Sequence, residues 1–203
     1  MIVLHYTAME SAEAALERLC DAGAEVSAHY LICERGRIWQ MVDEAQRAWH
    51  AGAGRWGAVQ DVNSRSIGVE LANRGDHPFP EPQMRALCGL MRGIMRRWAI
   101  NPARVIGHSD MAPGRKCDPG RRFDWARLAR EGLSVWPDAA REGGDFLRDA
   151  AVFGYPVGDV TDRLILDAFR LRFRPWVDGP EAAEDRAAMA ALAARWPVAT
   201  AAG

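Results

Sequence analysis

Two histidines and an aspartate carry the strongest chemical suggestion in this 203-residue chain. His5 ends the apolar run 2–5, and His108 follows the short apolar run 105–106. Asp118 lies at the far end of a segment rich in Pro and Gly that His108 opens. Two imidazoles and one carboxylate are a zinc ligand set that leaves a fourth position open for water, as a hydrolase needs. Zinc lowers the pKa of water and polarises a carbonyl. On spacing alone, a histidine at a strand end is more often structural than a ligand.

Two further charges stand out by their surroundings. Glu70 is the one charge in Ser66-Ile-Gly-Val-Glu-Leu-Ala72, an otherwise apolar or small run. Of the 26 basic residues, all but Lys116 are arginines, so the single ammonium sits within the loop that holds Asp118. A compact point charge on a flexible stem is not interchangeable with a planar guanidinium.

Composition sets the frame. Hydrophobic residues make up 49% and charged residues 26%, a globular balance. The net charge of −1 gives no broad basic field, which disfavours nucleic-acid binding. No run reaches the length of a membrane-spanning helix. The start, Met1-Ile-Val-Leu-His5, lacks the features of a signal peptide, which points to the cytoplasm. The four cysteines form no CxxC pair and read as reduced thiols.

These groups need elements to hold them. Residues 2–5, 28–33, 37–42, 66–72 and 105–106 read as strands, with Glu34-Arg35-Gly36 as a hairpin turn. Ser11 caps a helix running to about residue 22, with Gly23 closing it. Residues 82–98 place Met84, Leu87, Cys88, Met91, Ile94, Met95 and Trp98 at helical spacing. Residues 48–63 and 109–122 read as loops, and 123–132 as a short helix. Past Trp136-Pro137 the composition shifts, and helices are expected at about 145–153, 161–173 (Thr161 as N-cap) and 181–195. The organisation is α/β for residues 1–137, a linker at 138–145, and a small three-helix domain at 146–203.

Five stretches share one resemblance. Leu4-His5-Tyr6-Thr7-Ala8, Val26-Ser-Ala-His-Tyr-Leu-Ile32, Arg47-Ala-Trp-His-Ala-Gly52, Asn63-Ser-Arg-Ser-Ile-Gly-Val-Glu-Leu-Ala-Asn73 and Gly107-His-Ser-Asp-Met-Ala-Pro-Gly-Arg-Lys-Cys-Asp-Pro-Gly120 resemble the N-acetylmuramoyl-L-alanine amidase type 2 family, the AmpD/AmiD-like zinc amidases. The resemblance covers residues 1 to about 137. It implies a central mixed β-sheet flanked by helices, with one zinc ion per chain held by His5, His108 and Asp118. It implies Glu70 as the catalytic proton carrier and Lys116 as the group that stabilises the oxyanion. Arg115 is expected to meet a substrate carboxylate, and Asn73, Trp49 and His50 to line the cleft. A salt-bridge role for Arg115 and a loop-bonding role for His50 stay open. His29 reads as a core histidine or as a support behind the ligands, not as a ligand itself. Cys117 is expected not to ligate, since neighbours in an extended loop point apart.

The implied reaction cuts the amide between N-acetylmuramic acid, or its 1,6-anhydro form, and L-alanine of a peptidoglycan stem peptide. The alternatives are a non-catalytic peptidoglycan receptor and a zinc peptidase acting within the stem. Phe153-Gly-Tyr-Pro-Val, Ala168-Phe-Arg-Leu-Arg-Phe-Arg-Pro175 and Asp178-Gly179 resemble a three-helix peptidoglycan-binding domain, with Arg170 where that family has Gln. This cue pulls toward the envelope rather than the cytoplasm. A small helical domain that simply packs on the catalytic one is the competing reading, with Phe169 and Phe173 as core.

Overall fold

The computed structural model describes residues 1–138 and 143–198. Five strands form one mixed sheet: β1 (Ile2–Tyr6), β2 (Tyr30–Ile32), β3 (Ile38–Gln40), β4 (Ile67–Leu71) and β5 (Val105–Gly107), in the order β3-β2-β4-β1-β5. β1 pairs in parallel with both β4 and β5, β2 pairs in parallel with β4, and only the edge strand β3 is antiparallel. The β2–β3 hairpin turns where its sequence requires. Gly36 takes φ +84°, and its N–H bonds to the Cys33 carbonyl at 2.9 Å.

The period-2 alternation of β1 and β4 divides the molecule into two sides. Ile2, Leu4, Ile67, Val69 and Leu71 bury against α2 (Glu81–Arg97), whose Met84, Leu87, Cys88, Met91 and Ile94 form its apolar stripe. Met95 only flanks this cluster, and Trp98 lies outside it at 48% exposed. Its indole donates to Glu44 at 2.6 Å, because the helix ends at Arg97 and turns that ring to the surface.

The opposite side of the same strands carries Val3, His5, Gly68, Glu70 and Ile106. At the lower half of this side, Val3 and Ile106 join one apolar cluster with the C-terminal helices α5 (Phe146–Phe153), α6 (Asp162–Phe173) and α7 (Ala183–Arg195). Phe169 and Phe173 lie fully inside it. The upper half, at the carboxyl ends of the parallel strands, stays open. In open α/β sheets that is where ligands bind.

Helix boundaries show what caps can and cannot reveal. Ser11 accepts from Ala14 N–H at 3.1 Å and starts α1 (Ala12–Cys20). The helix does not reach Gly23. Asp21 leaves it in an extended conformation and caps a separate 3-10 turn, Ala22–Ala24, with Glu25 taking the left-handed position. Thr161 precedes α6 as expected but makes no side-chain cap bond. Residues 109–122 are not wholly loop, since His108–Met111 forms one helical turn, α3. The short helix expected at 123–132 is α4 (Trp125–Arg130), started by Asp124. The linker expected at 138–145 falls in part on residues outside those described.

Candidate metal centre and cleft

Strand register brings the site together. His5 and Glu70 are direct partners in the parallel β1–β4 pair and so stand side by side on the open face. His108 emerges from β5, and Ser109 N–H bonds to the Asp118 carbonyl at 2.9 Å, folding the loop back so that Asp118 faces both histidines. His5 Nδ1, His108 Nδ1 and Asp118 Oδ2 form a triangle with edges of 2.9, 2.9 and 3.1 Å. All three residues are buried.

The donor set fits a zinc ion. Tetrahedral zinc with bonds of about 2.0–2.1 Å spaces its ligands about 3.3 Å apart, and the three edges come within a few tenths of that. Three lone-pair atoms this close repel one another unless a cation or a proton lies between them. Burial, then the neighbouring His108, lowers the His5 imidazole to about 4, leaving it neutral and ready to ligate. Burial pushes Asp118 up, but its close contacts with the His108 and His5 imidazoles outweigh it and hold its carboxyl well below the usual range.

Each histidine of the triangle is fixed through its far nitrogen, as metal-binding imidazoles require. With both Nδ1 atoms facing the centre, the ring protons sit on Nε2. His108 Nε2–H donates to the Ala51 carbonyl at 2.8 Å. His5 Nε2–H donates to His50 Nδ1 at 3.0 Å, His50 Nε2 faces Ser66 Oγ at 3.4 Å, and Ser66 donates to the Val62 carbonyl at 2.5 Å. Every donor in this chain points away from the centre. His50 is therefore a support for His5: its nitrogens are spent within the protein, and it contributes only a ring edge to the cleft wall. Burial, then the other histidines, holds it well below its ordinary pKa, so it stays neutral in that role.

Glu70 is partly exposed as a residue, yet its Oε2 is buried with no hydrogen-bond partner. Burial, then the Asp118 charge, raises its carboxyl to about 8, against which the nearby Lys116 pulls down. A lone buried carboxylate oxygen beside a metal-type triangle is the kind of group that takes and returns a proton.

The triangle opens into a cleft of about 600 Å³, lined by Glu70, Lys116, Arg115 and Trp49, with Arg18 and Val26 on the far wall. Trp49 is 56% exposed, with the Arg47 guanidinium 4.2 Å above its ring. Lys116 is exposed at the rim. Arg115 lines the cleft, but its Nη2 donates to the carbonyls of Ala51 and Ala53, which ties it to the loop under His108. Asn73 does not line the cleft. It is 2% exposed, and its amide holds the 73–77 turn by accepting from Gly75 N–H at 2.7 Å. Cys117 is turned to the Tyr6 hydroxyl at 3.0 Å, away from the triangle. His29 is a core residue that accepts from Gly68 N–H and packs edge-on to His50. The α1-side wall, Met9, Arg18 and Val26, carries no chemical signature in the sequence and was not anticipated.

An α/β sheet with an open His/His/Asp triangle and an adjacent carboxylate at its strand ends has the layout of a mononuclear metallohydrolase. The sequence comparisons agree with that class and narrow it: the chain belongs to the N-acetylmuramoyl-L-alanine amidase (Amidase_2) family, whose sequence pattern matches residues 1–121. It is 36% identical to N-acetylmuramoyl-L-alanine amidase AmiD of Escherichia coli (strain K12) across 94% of this chain and 80% of that protein. It is 43% identical to 1,6-anhydro-N-acetylmuramyl-L-alanine amidase AmpD of Haemophilus influenzae, there over half of this chain and 56% of that one. The solved structure of E. coli AmiD with the substrate anhydro-N-acetylmuramic acid-L-Ala-D-gamma-Glu-L-Lys superposes with a TM-score of 0.88, covering 97% of this chain and 89% of that one. AmpDh3 of Pseudomonas aeruginosa, complexed with anhydromuramic pentapeptide, gives the same score at 31% identity, over 98% and 92% of the two chains.

Proposed function

We propose that this chain hydrolyses the amide joining N-acetylmuramic acid, or its 1,6-anhydro form, to L-alanine of the stem peptide, in peptidoglycan recycling or turnover. His5, His108 and Asp118 hold one zinc ion. The observation that carries the reading is the unpartnered Glu70 oxygen beside the ligand triangle, at the floor of a cleft large enough for a sugar–peptide junction. The anhydro-muramyl peptides bound in the related AmiD and AmpDh3 structures supply its chemical class.

Zinc bound there supplies Lewis acidity to the scissile carbonyl and acidifies water. The chain's own residues do the rest. Glu70 takes a proton from the attacking water and delivers it to the leaving L-alanine nitrogen. The Lys116 ammonium stabilises negative charge gathering on the carbonyl oxygen. Trp49 offers an apolar wall for a sugar or peptide face, and Arg115 fixes the loop beneath His108 at the cleft lining, where a substrate carboxylate would meet it. His50 keeps His5 in the ligating tautomer. The metal site lies wholly within residues 1–137, consistent with placing the catalytic part there and the helical part after it.

Product analysis on a defined anhydro-muropeptide tests the reading. Free sugar plus intact peptide is expected; shortened peptides would make the protein a peptidase, and binding without cleavage at full zinc loading would make it a receptor. No helix among the described residues is long and apolar enough to cross a membrane. Running intact sacculi in the same assay separates a cytoplasmic recycling enzyme from an envelope enzyme acting on polymer.

A further inference from the structure

The C-terminal helices reach the metal loop through a buried carboxylate that the reaction itself does not use. Asp110 is fully buried, two residues after the ligand His108. Its Oδ2 accepts from Gly107 N–H at 2.8 Å, fixing the backbone that feeds His108 out of β5. The same oxygen accepts from Arg172 Nη1 of α6 at 2.8 Å, and Oδ1 accepts from the Tyr155 hydroxyl at 2.7 Å. Arg172 is 1% exposed; it also donates to the Val105 carbonyl at 2.9 Å and lies 4.4 Å from the Trp125 ring centre. A buried carboxylate this fully bonded has one orientation, because losing any partner leaves a polar atom in an apolar setting.

A second, separate connection supports the other side of His108. The loop whose Ala51 carbonyl holds His108 Nε2 continues to Arg55 and Gly57. Arg55 donates to the Val157 carbonyl at 3.1 Å and to Asp159, and Gly57 N–H bonds to the Gly154 carbonyl at 2.8 Å. Trp56 between them packs edge-on to Phe153 and Tyr155. The segment 153–159 thus borders both supports of one ligand.

We propose that Tyr155 and Arg172 are positioning residues for the metal centre, setting His108 through the Asp110 carboxylate, so that the C-terminal helices form part of the catalytic unit. This rests on the reading of His5, His108 and Asp118 as the metal site. The family pattern ends at residue 121, so these two contributors lie outside the segment that defines the amidase.

The test uses the full chain carrying Tyr155→Phe, which keeps the ring in the core and removes only the hydroxyl. Cobalt uptake is followed by its visible spectrum, zinc affinity by chelator competition, and kcat and KM on an anhydro-muropeptide. Leu192→Ala, buried in the same helical cluster and supplying none of the Asp110 hydrogen bonds, serves as the control for general loosening. Tyr155→Phe should weaken zinc binding about tenfold, alter the cobalt spectrum and lower kcat about tenfold with KM little changed. Leu192→Ala should lower Tm while leaving the cobalt spectrum in place. A wild-type chain that takes up no cobalt refutes the metal site, and this proposal with it. If wild type binds and Tyr155→Phe matches it in affinity, spectrum and kcat, the positioning role alone is refuted. The same holds if Leu192→Ala changes the metal readouts as much as Tyr155→Phe does.

Discussion

Gly68→Ala is a one-carbon change that should cost metal binding from outside the ligand set. Gly68 is in β4, on the face shared by His5 and Glu70, and the His50 ring lies directly over it. A Cβ there would stand 2.4 Å from His50 Cγ, 2.5 Å from Cδ2 and 2.7 Å from Nδ1. Ordinary carbon contact begins near 3.5 Å, so the ring has to retreat by about 1 Å or the strand has to move. The His5–His50 bond, now 3.0 Å, does not survive a shift of that size. Overpacking costs about 1–3 kcal/mol of stability. Loss of the hydrogen bond that orients a ligating imidazole typically costs about 10–100-fold in metal affinity, or about 1.4–2.7 kcal/mol. The assay is zinc affinity by chelator competition, with Tm measured on metal-free and metal-loaded protein. The double variant Gly68→Ala/His50→Ala relieves the clash and should recover Tm in the metal-free state without recovering zinc affinity. If Gly68→Ala alone binds zinc as wild type does, the His50 support is not needed and the reasoning fails.

Other perturbations follow from the same geometry. His108→Ala should lose both zinc and activity, read by metal stoichiometry and turnover. Glu70→Gln should keep zinc and lose turnover by a factor of about 100 or more, as expected for a general acid–base. In the metal-free protein, Glu70 is held protonated up to about pH 8, whereas the unfolded chain ionises it near 4.5. Its contribution to stability is therefore full below 4.5 and lost as pH rises through 8, at most about 1.4 kcal/mol per pH unit. Glu70→Gln should flatten that slope in urea titrations between pH 5 and 8, and zinc loading, which favours the carboxylate, should flatten it too. Trp49→Ala, at an exposed wall position, should raise KM several-fold with kcat little changed; an unchanged KM would remove Trp49 from the substrate surface.

The ligand triangle was legible because a metal site constrains residue type, and the motif from Gly107 to Gly120 supplied the register that spacing alone left open. The α2 stripe was legible up to Ile94 because a buried face imposes period 3.6 on the sequence. Trp98 broke from it since the helix had ended, and an aromatic at a helix end can pack or face water with equal ease. Asn73 was expected at the cleft and does not line it, and for His50 the cleft-lining and loop-bonding readings stayed open, both for one reason. A polar residue near a cleft carries the same letter whether it points at substrate or satisfies a buried partner, and only the hydrogen bonds to Gly75 and to His5 tell the two apart. The α1-side wall was invisible because Met9 and Val26 are ordinary apolar residues whose role comes from where the chain passes.

The parallel pairing of β1 with β4 and β5 also sets an order of events during folding. His5 meets Glu70 and His108 only after strands separated by long stretches of chain have paired, and closing such separations is the slow part of building a sheet. No two of the three candidate metal ligands are near neighbours in sequence, the closest being His108 and Asp118 across a loop that itself docks on β5. A metal ion arriving early would find no site to nucleate around, unlike in a zinc finger. Zinc capture should therefore lag behind recovery of tryptophan fluorescence on refolding, and would serve as a clock that marks completion of the sheet.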